Sequence, residues 1–383
     1  MGEGMSAYAV FVVKAESKLE GFPAEKMEVE RRYNDFFQLH KRLQEKYKSV
    51  IVPPIPEKDW HSSFSSSSSQ TGNKFSKEFL QFRKRQLNNF LQCLASHQTL
   101  RECQEFKDFF HSSSSGRERE KKSGGGGGGG GLGSLLSNVF GGAKSTVSNL
   151  SLSLGSGEED PEGWFVEKSK QLDFLSQHLS SLSHLSNAWC NNLQLVSSLS
   201  SSLSPPFLSL SSLSLSPPST SDSNSTNQDN STNHNTANTL PQDFAFFAQT
   251  FAEIPSPLSL CVAKTAIQFR DVINFWIRYI ANAKLVLQNR LSVLSNYQSC
   301  EKSLLAKKTS PNRTEVQKLE LLFNDSKIAY EQFTKEARKE IENFERQFSK
   351  VMHNSLSNLA VSHLNLHTQM SNQFKTLLQR ITH

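Results

Sequence analysis

The chain has 383 residues, with 42 Lys and Arg against 36 Asp and Glu, a formal net charge of +6. That length leaves room for two or three domains. The mild positive balance argues against a nucleic-acid partner, which needs a dense basic face, while a local excess of cations suits an anionic membrane surface. Five cysteines, Cys93, Cys103, Cys190, Cys261 and Cys300, have neither paired nor metal-ligand spacing, the pattern of a reduced, cytosolic protein. No apolar run approaches the roughly 20 residues of a membrane span, and no secretory signal opens the chain. Membrane contact, if any, is therefore expected to be peripheral. Met1-Gly2-Glu3-Gly4-Met5-Ser6 fits a loose acylation pattern, but the acid directly after Gly2 argues against it.

Residues 8–15 form a short apolar, β-branched run and residues 26–33 alternate in type, so both read as strands. Over 35–47 the apolar residues Phe36, Leu39, Leu43 and Tyr47 take the spacing of a helix face. A turn, Pro53-Pro54-Ile55-Pro56-Glu57-Lys58, follows. Residues 59–76 carry the run of serines 65–69 and read as a disordered loop. Trp60 and Phe64 at its start either dip into a bilayer or pack on the domain. Residues 77–110 read as helical, with Phe79, Phe82, Leu87, Phe90, Leu91 and Leu94 on a buried face. Strands followed by helices within 1–111 make an α+β domain.

Three pieces of this region belong together: Arg31-Arg32-Tyr33-Asn34-Asp35-Phe36, the Pro-rich turn, and Phe82-Arg83-Lys84-Arg85-Gln86-Leu87. Guanidinium forks hold phosphate oxygens bidentately, and a Tyr face packs on a sugar ring. In this order the pieces resemble the phosphoinositide-binding PX domain. The resemblance implies a site for phosphatidylinositol 3-phosphate: Arg32 on the 3-phosphate, Tyr33 on the inositol ring, Lys58 on the 1-phosphate and Arg83 on the 4- and 5-hydroxyls.

Residues 112–131 read as a flexible linker ending in eight glycines, 124–131. That run contains G-x-G-x-x-G trivially, with neither the preceding strand nor the later acid of a dinucleotide site. Gly142-Ala143-Lys144-Ser145 fails as a P-loop ending because Ala143 separates the Gly from the Lys. Over 132–154 the apolar residues Leu132, Leu135, Leu136, Val139, Phe140, Ala143, Val147, Leu150 and Leu154 form one helical stripe opposite a Ser/Asn/Gly face. Lys144 is its only charge. Tethered by glycines at both ends, the stripe reads as an interfacial membrane helix that senses lipid packing, with Leu135, Leu136, Val139 and Phe140 inserting. Packing on the chain's own core and disorder are the alternatives.

Residues 160–383 are dominated by heptads. Leu172, Leu175, Leu179, Leu182, Trp189, Leu193, Val196 and Leu203 keep 3-4 spacing, with Ser186 and Ser200 in vacant positions. Pro205-Pro206 is expected to stop that helix, and a disordered Ser/Asn-rich insert spans about 205–240. A short apolar piece with Phe244, Phe246, Phe247 and Phe251 leads to Pro255 and Pro257. Residues 258–308 then read as one long amphipathic helix, and a last helix runs from Val316 to Ile381. At 1.5 Å per residue each is roughly 75–100 Å long, too long for one small globule, so an elongated antiparallel bundle is expected. The turn between them carries Lys302, Lys307, Lys308, Arg313 and Lys318 against Glu301 and Glu315. Those cations are either a solvated helix end or, on the family reading below, a lipid contact.

Long helices after a PX domain, entered by Trp164-Phe165, resemble the BAR domain of the PX-BAR sorting nexins, and the retromer-associated members most. The fold class is therefore expected to be multidomain: an α+β PX domain followed by an all-α elongated BAR bundle. The resemblance implies a homo- or heterodimer that shapes endosomal membrane tubules in retrograde transport, with retromer as a partner. One departure is the first long helix, which is uncharged by acid or Lys/Arg from Phe174 to Leu203, where BAR helices are highly charged. The alternative function is a coiled-coil scaffold on endosomes that bridges proteins without deforming membrane. No Ser/His/Asp order or metal spacing suggests an enzyme, and no cofactor is expected. His353, His363 and His367 are expected on the surface of the last helix.

Overall fold

The structure is a computed structural model and describes residues 8–57, 76–111, 163–213, 236–309 and 312–382. The chain divides into two compact units, Met1–Lys48 with Ile55–Asp173 and Ser49–Pro54 with Phe174–His383.

In the first unit, strands β1 (Val10–Glu16) and β2 (Lys26–Arg32) pair antiparallel, with Val10 opposite Arg32 and Glu16 opposite Lys26. Successive side chains of a strand point to opposite faces, and in β2 Met27, Val29 and Arg31 turn inward. Helix α1 (Tyr33–Lys46) starts with no intervening loop; the Asp35 carboxylate accepts from the Arg32 N–H at 2.8 Å and caps its first turn. Helix α2 (Lys77–Ser96) is capped by Ser76, whose Oγ accepts from the Phe79 N–H at 3.2 Å. The expected single helix over 77–110 is broken. His97 is extended, and its Nδ1 accepts from the N–H groups of Thr99 and Leu100, both at 3.2 Å. These donors are thereby lost to a continuing helix. A 3-10 turn at Leu100–Glu102 and helix α3 (Gln104–Phe109) follow. Its core is aromatic: Phe36 lies 5.1 Å from Phe109 and 6.4 Å from Phe11, ring to ring.

The second unit holds α4 (Trp164–Ser211) from Phe174 onward, α5 (Thr236–Glu253), α6 (Pro255–Thr265), α7 (Asp271–Lys307) and α8 (Arg313–Thr382). Paired residues fix an antiparallel register along α8: Phe251 on Phe374, Cys261 on His363, Trp276 on Phe344 and Phe348, Tyr297 on Phe323 and Tyr330. Helix α4 also runs antiparallel to the middle helices: Ser183 donates to Asn274 at 2.7 Å, and Phe207 stacks on Phe251 at 5.6 Å. The segment Ser49–Pro54 packs in this unit too. Asn282 Nδ2 donates to the Val52 carbonyl at 2.7 Å, and the Ile51 N–H to Glu340 at 3.2 Å.

Several expectations for this unit are corrected. Helix α4 passes through Pro205 and Pro206 and ends at Ser211. Two prolines remove two donors close to the helix end, and the last turn is held from outside by Phe207 against Phe244, Phe247 and Phe251. The expected insert therefore loses both ends to helix, and its part over 214–235 lies outside the described residues. The Phe-rich piece before Pro255 is itself helical, as α5. The long helix expected over 258–308 is interrupted by a π-helical turn, Ala266–Arg270. The widened turn frees the Gln268 carbonyl, which accepts from Ser355 Oγ at 2.5 Å. His353 and His367 are exposed as expected, but His363 is half-buried, its ring 5.7 Å from Trp189 and its Nδ1 3.9 Å from Cys261 Sγ. Burial, and His367 beside it, lower the His363 pKa.

The heptads of α4 also resolve into two faces. Leu172, Leu179, Ser183, Ser186, Cys190 and Ser200 are buried. Leu182, Leu185, Trp189, Val196, Leu199 and Leu203 are left exposed. Leu172 and Leu179 are buried near the start of the helix, whereas from Ser183 on the fully buried positions are small and most bulky residues fall on the other side.

Candidate functional site

Strand period decides the fate of the two adjacent arginines at the end of β2. Arg31 points inward and is 3% exposed. Its Nε and Nη2 donate to the Phe109 carbonyl at 3.0 and 2.7 Å, Nη2 also to His111 at 2.7 Å, and Nη1 to the Glu30 carbonyl at 2.8 Å. Burial lowers its pKa from the ordinary value, with the Asp35 carboxylate opposing. Arg31 is thus spent on tying β2 to the end of α3. Arg32 points outward, its side chain 43% exposed and its Nε 3.5 Å from Asp35. It sits at the N-terminus of the 14-residue helix α1, where unpaired N–H groups and the helix dipole favour an anion.

Tyr33 is the first residue of α1, and its hydroxyl donates to the Pro56 carbonyl at 2.6 Å. Arg83 reaches the same place from α2. Its Cζ is 4.4 Å from the Tyr33 ring centroid and 4.3 Å from that of Phe79, and Nη2 donates to the Glu57 carbonyl at 2.9 Å. Phe79 and Arg83 are one turn apart on α2 and so share a face. Three of the four expected headgroup residues, Arg32, Tyr33 and Arg83, are therefore gathered round the start of α1 and the Pro56–Glu57 turn. Lys58, Trp60 and Phe64 lie outside the described residues, as do Leu135, Leu136, Val139 and Phe140 of the expected membrane helix.

Sequence reasoning placed Phe79 only in a buried face. Its position four residues before Arg83 was the available signal for its contact with the guanidinium. The Glu57 carbonyl, a backbone group, gave no signal at all.

In the second unit the expected tip cations cluster around the turn joining α7 and α8. Lys302, Lys307, Lys308 and Arg313 are all exposed. Lys307 pairs with Glu315 at 3.0 Å, and the Asn312 side chain caps α8 by accepting from the Glu315 N–H at 3.4 Å. Among the described residues, no helix is long and apolar enough to cross a membrane, and no cluster of His, Cys, Asp or Glu is suited to hold a metal ion.

The PX domain family model matches residues 19–113. Mouse sorting nexin-1 is 22% identical over 99% of this chain and 69% of its own length. Sorting nexin 1 of Arabidopsis thaliana is 32% identical over 29% of this chain and 26% of its own length, and human sorting nexin-2 is 35% identical over 30% of this chain. The matched stretch thus spans between about a quarter and just over two thirds of the first two of these relatives. In fold, the chain is similar to the cryo-EM structure of the SNX-BAR Mvp1 tetramer, with a TM-score of 0.54 at 14% identity, over 97% of this chain and 95% of that one. The chain thus matches a PX domain at its N-terminus, is similar to a sorting nexin-1 along almost its whole length, and shares its fold with an SNX-BAR protein.

Proposed function

We propose that the protein is a non-enzymatic, peripheral membrane protein that binds phosphatidylinositol 3-phosphate and senses or shapes curved endosomal membrane during retrograde protein transport. The observation that supports the reading is the meeting of Tyr33 and Arg83 at the Pro56–Glu57 turn, with Arg32 next to Tyr33 at the start of α1. Arg32, at a helix N-terminus, takes the 3-phosphate; the Tyr33 ring packs on the inositol; Arg83 donates to its hydroxyls. Lys58, following Glu57 directly in sequence, takes the 1-phosphate. The helical unit dimerises, with itself or a related chain, through apolar residues that one copy leaves exposed, among them Trp189 (54%) and Leu185 (63%). The exposed Lys302, Lys307, Lys308 and Arg313 add anionic-lipid contacts, each worth about 1 kcal/mol near a charged surface. Residues 132–154 insert as an amphipathic helix through Leu135, Leu136, Val139 and Phe140. Linking these weak sites raises the overall avidity through effective concentration. Retromer is the expected partner in cargo sorting.

The test uses the full chain on liposomes with and without phosphatidylinositol 3-phosphate, followed by sedimentation and electron microscopy. Binding that depends on this lipid, together with narrow tubules, is the expected result. Lipid-dependent binding without deformation would favour the scaffold reading, and equal binding to all phosphoinositides would remove the headgroup assignment.

A further inference from the structure

We propose that Phe79 is a positioning residue that sets which phosphoinositide the pocket accepts, by holding Arg83 where it meets ring hydroxyls and leaves no space for a further phosphate. The proposal rests on the headgroup reading of the pocket given above.

An arginine side chain ordinarily sweeps many rotamers. Three contacts from three different elements restrain Arg83. Its guanidinium carbon lies over the Phe79 ring of its own helix at 4.3 Å and over the Tyr33 ring of α1 at 4.4 Å, while Nη2 is tied to the Glu57 carbonyl at 2.9 Å. Each restraint is itself fixed. Tyr33 is held by its hydroxyl on the Pro56 carbonyl at 2.6 Å. Phe79 is only 8% exposed, and its backbone N–H is bound by the Ser76 cap. Such a guanidinium is held in place and cannot draw back from a ligand.

A hydroxyl fits against a fixed donor edge at ordinary hydrogen-bond distance. A phosphate on the same ring carbon carries its oxygens well beyond the hydroxyl position, so the arginine would have to withdraw to pair with it. Held by Phe79, Arg83 therefore selects against added phosphate although its charge would attract it. Arg32 is the contrasting group: its side chain is 43% exposed, meets the Asp35 carboxylate at 3.5 Å and lies over the Tyr8 ring only at the longer distance of 5.9 Å, so it is held less closely and can close on a phosphate.

The experiment is titration calorimetry of the full chain with dibutanoyl phosphatidylinositol 3-phosphate and with the dibutanoyl 3,4- and 3,5-bisphosphates. The unaltered protein is expected to prefer the monophosphate. Phe79→Leu keeps apolar bulk and removes the ring; it should weaken the monophosphate about five-fold, the size of one lost cation–π contact, while bisphosphate binding rises, so that the preference disappears. Phe79→Tyr keeps the ring and should keep the preference. Circular dichroism establishes that each variant is folded, and Phe79→Met replaces Phe79→Leu should the latter not fold. A folded ring-less variant with an unchanged preference, or with equal weakening for all three lipids, overturns the role of Phe79 and leaves the pocket standing. An unaltered protein that binds none of the three overturns the headgroup reading itself. A measurement needing no variant stands beside these: the Arg83 Nε–H order parameter in ligand-free protein should be near the rigid value of about 0.85, and one under about 0.6 would show an arginine that is not held.

Discussion

The two units use their side chains in opposite ways. The first closes on itself. Its phenylalanines meet ring to ring around Phe36, Phe106, Phe109 and Phe110, and even a charged residue, Arg31, is taken inside and satisfied by backbone carbonyls. The second does not close. Helix α4 turns Ser183, Ser186, Cys190 and Ser200 toward the other helices and leaves Leu182, Trp189, Val196 and Leu203 uncovered. A buried side chain of this kind is worth about 1.5–3 kcal/mol relative to an exposed one. A stretch that, from Leu182 to Leu203, buries small residues and exposes these large ones is therefore arranged for a surface that a single copy does not supply. The first unit reads as a self-sufficient binding module and the second as half of an assembly.

The largest expected effect tests that second half. Replacing Leu182, Trp189 and Val196 together with Ser should lower the association free energy by on the order of 5 kcal/mol before ordering costs are set against it. Light scattering should then give the mass of one chain at micromolar concentration, with helicity by circular dichroism retained. Phe344→Asp is the counterpart inside a single copy. Its ring packs on Trp276 and Tyr279, both at 5.2 Å, so a buried charge there should unfold the unit rather than dissociate it. A dimer undisturbed by the Ser triple variant would break the comparison.

Next in size is Arg31→Ala. It removes both donors to the Phe109 carbonyl and one to that of His111, which should cost about 3 kcal/mol or more of stability in the first unit. Urea unfolding followed by the aromatic near-ultraviolet signal measures it. A loss under about 0.5 kcal/mol, the level of an ordinary surface change, would mean that the buried arginine does not tie the unit together.

His40 gives the first unit a pH dependence. Burial lowers its pKa from 6.5 to about 4, and its Nε2 finds no hydrogen-bond partner among the described residues, beside the Phe90 ring at 6.0 Å. The unfolded chain thus binds the proton more readily than the folded one. This contribution to stability is fully present above pH 6.5 and is lost as the pH falls from 6.5 toward 4, a span worth on the order of 2–3 kcal/mol. His40→Gln should flatten that part of the stability profile, and an unchanged slope would rule out this histidine as its source.

Arg32→Ala is expected to have the smallest effect on free energy and the most selective one. It should weaken phosphatidylinositol 3-phosphate binding by about 2 kcal/mol, roughly 30-fold, through loss of a charge-assisted contact. The thermal midpoint should hardly move, because the side chain is exposed. Neighbouring arginines, one structural and one free to bind, are then separated by one pair of measurements. Undiminished binding by Arg32→Ala would remove that residue from the pocket.

What the sequence by itself determined follows from rules that act within one or two turns of chain. The alternation over 26–33 gives β2, the apolar spacing over 35–47 gives α1, and the same periodicity gives the length of α8. The order of Arg32, Tyr33, the Pro-rich turn and Arg83 also singled out, before any contact was known, pieces of which Tyr33, Arg83 and the turn meet in the fold. Tertiary structure decided the rest, wherever a local preference was overruled by a distant group. Helix α4 survived Pro205 and Pro206 because Phe207 found three phenylalanines on α5. Heptad spacing likewise marked one seam on α4 but not which of its residues would be buried, since that depends on Asn274, Arg270 and the other residues of the helices lying against it. The clamp on Arg83 is the same case at the pocket: Phe79 is local to it, but Tyr33 and the Glu57 carbonyl reach it only through the fold, because they are 50 and 26 residues away along the chain.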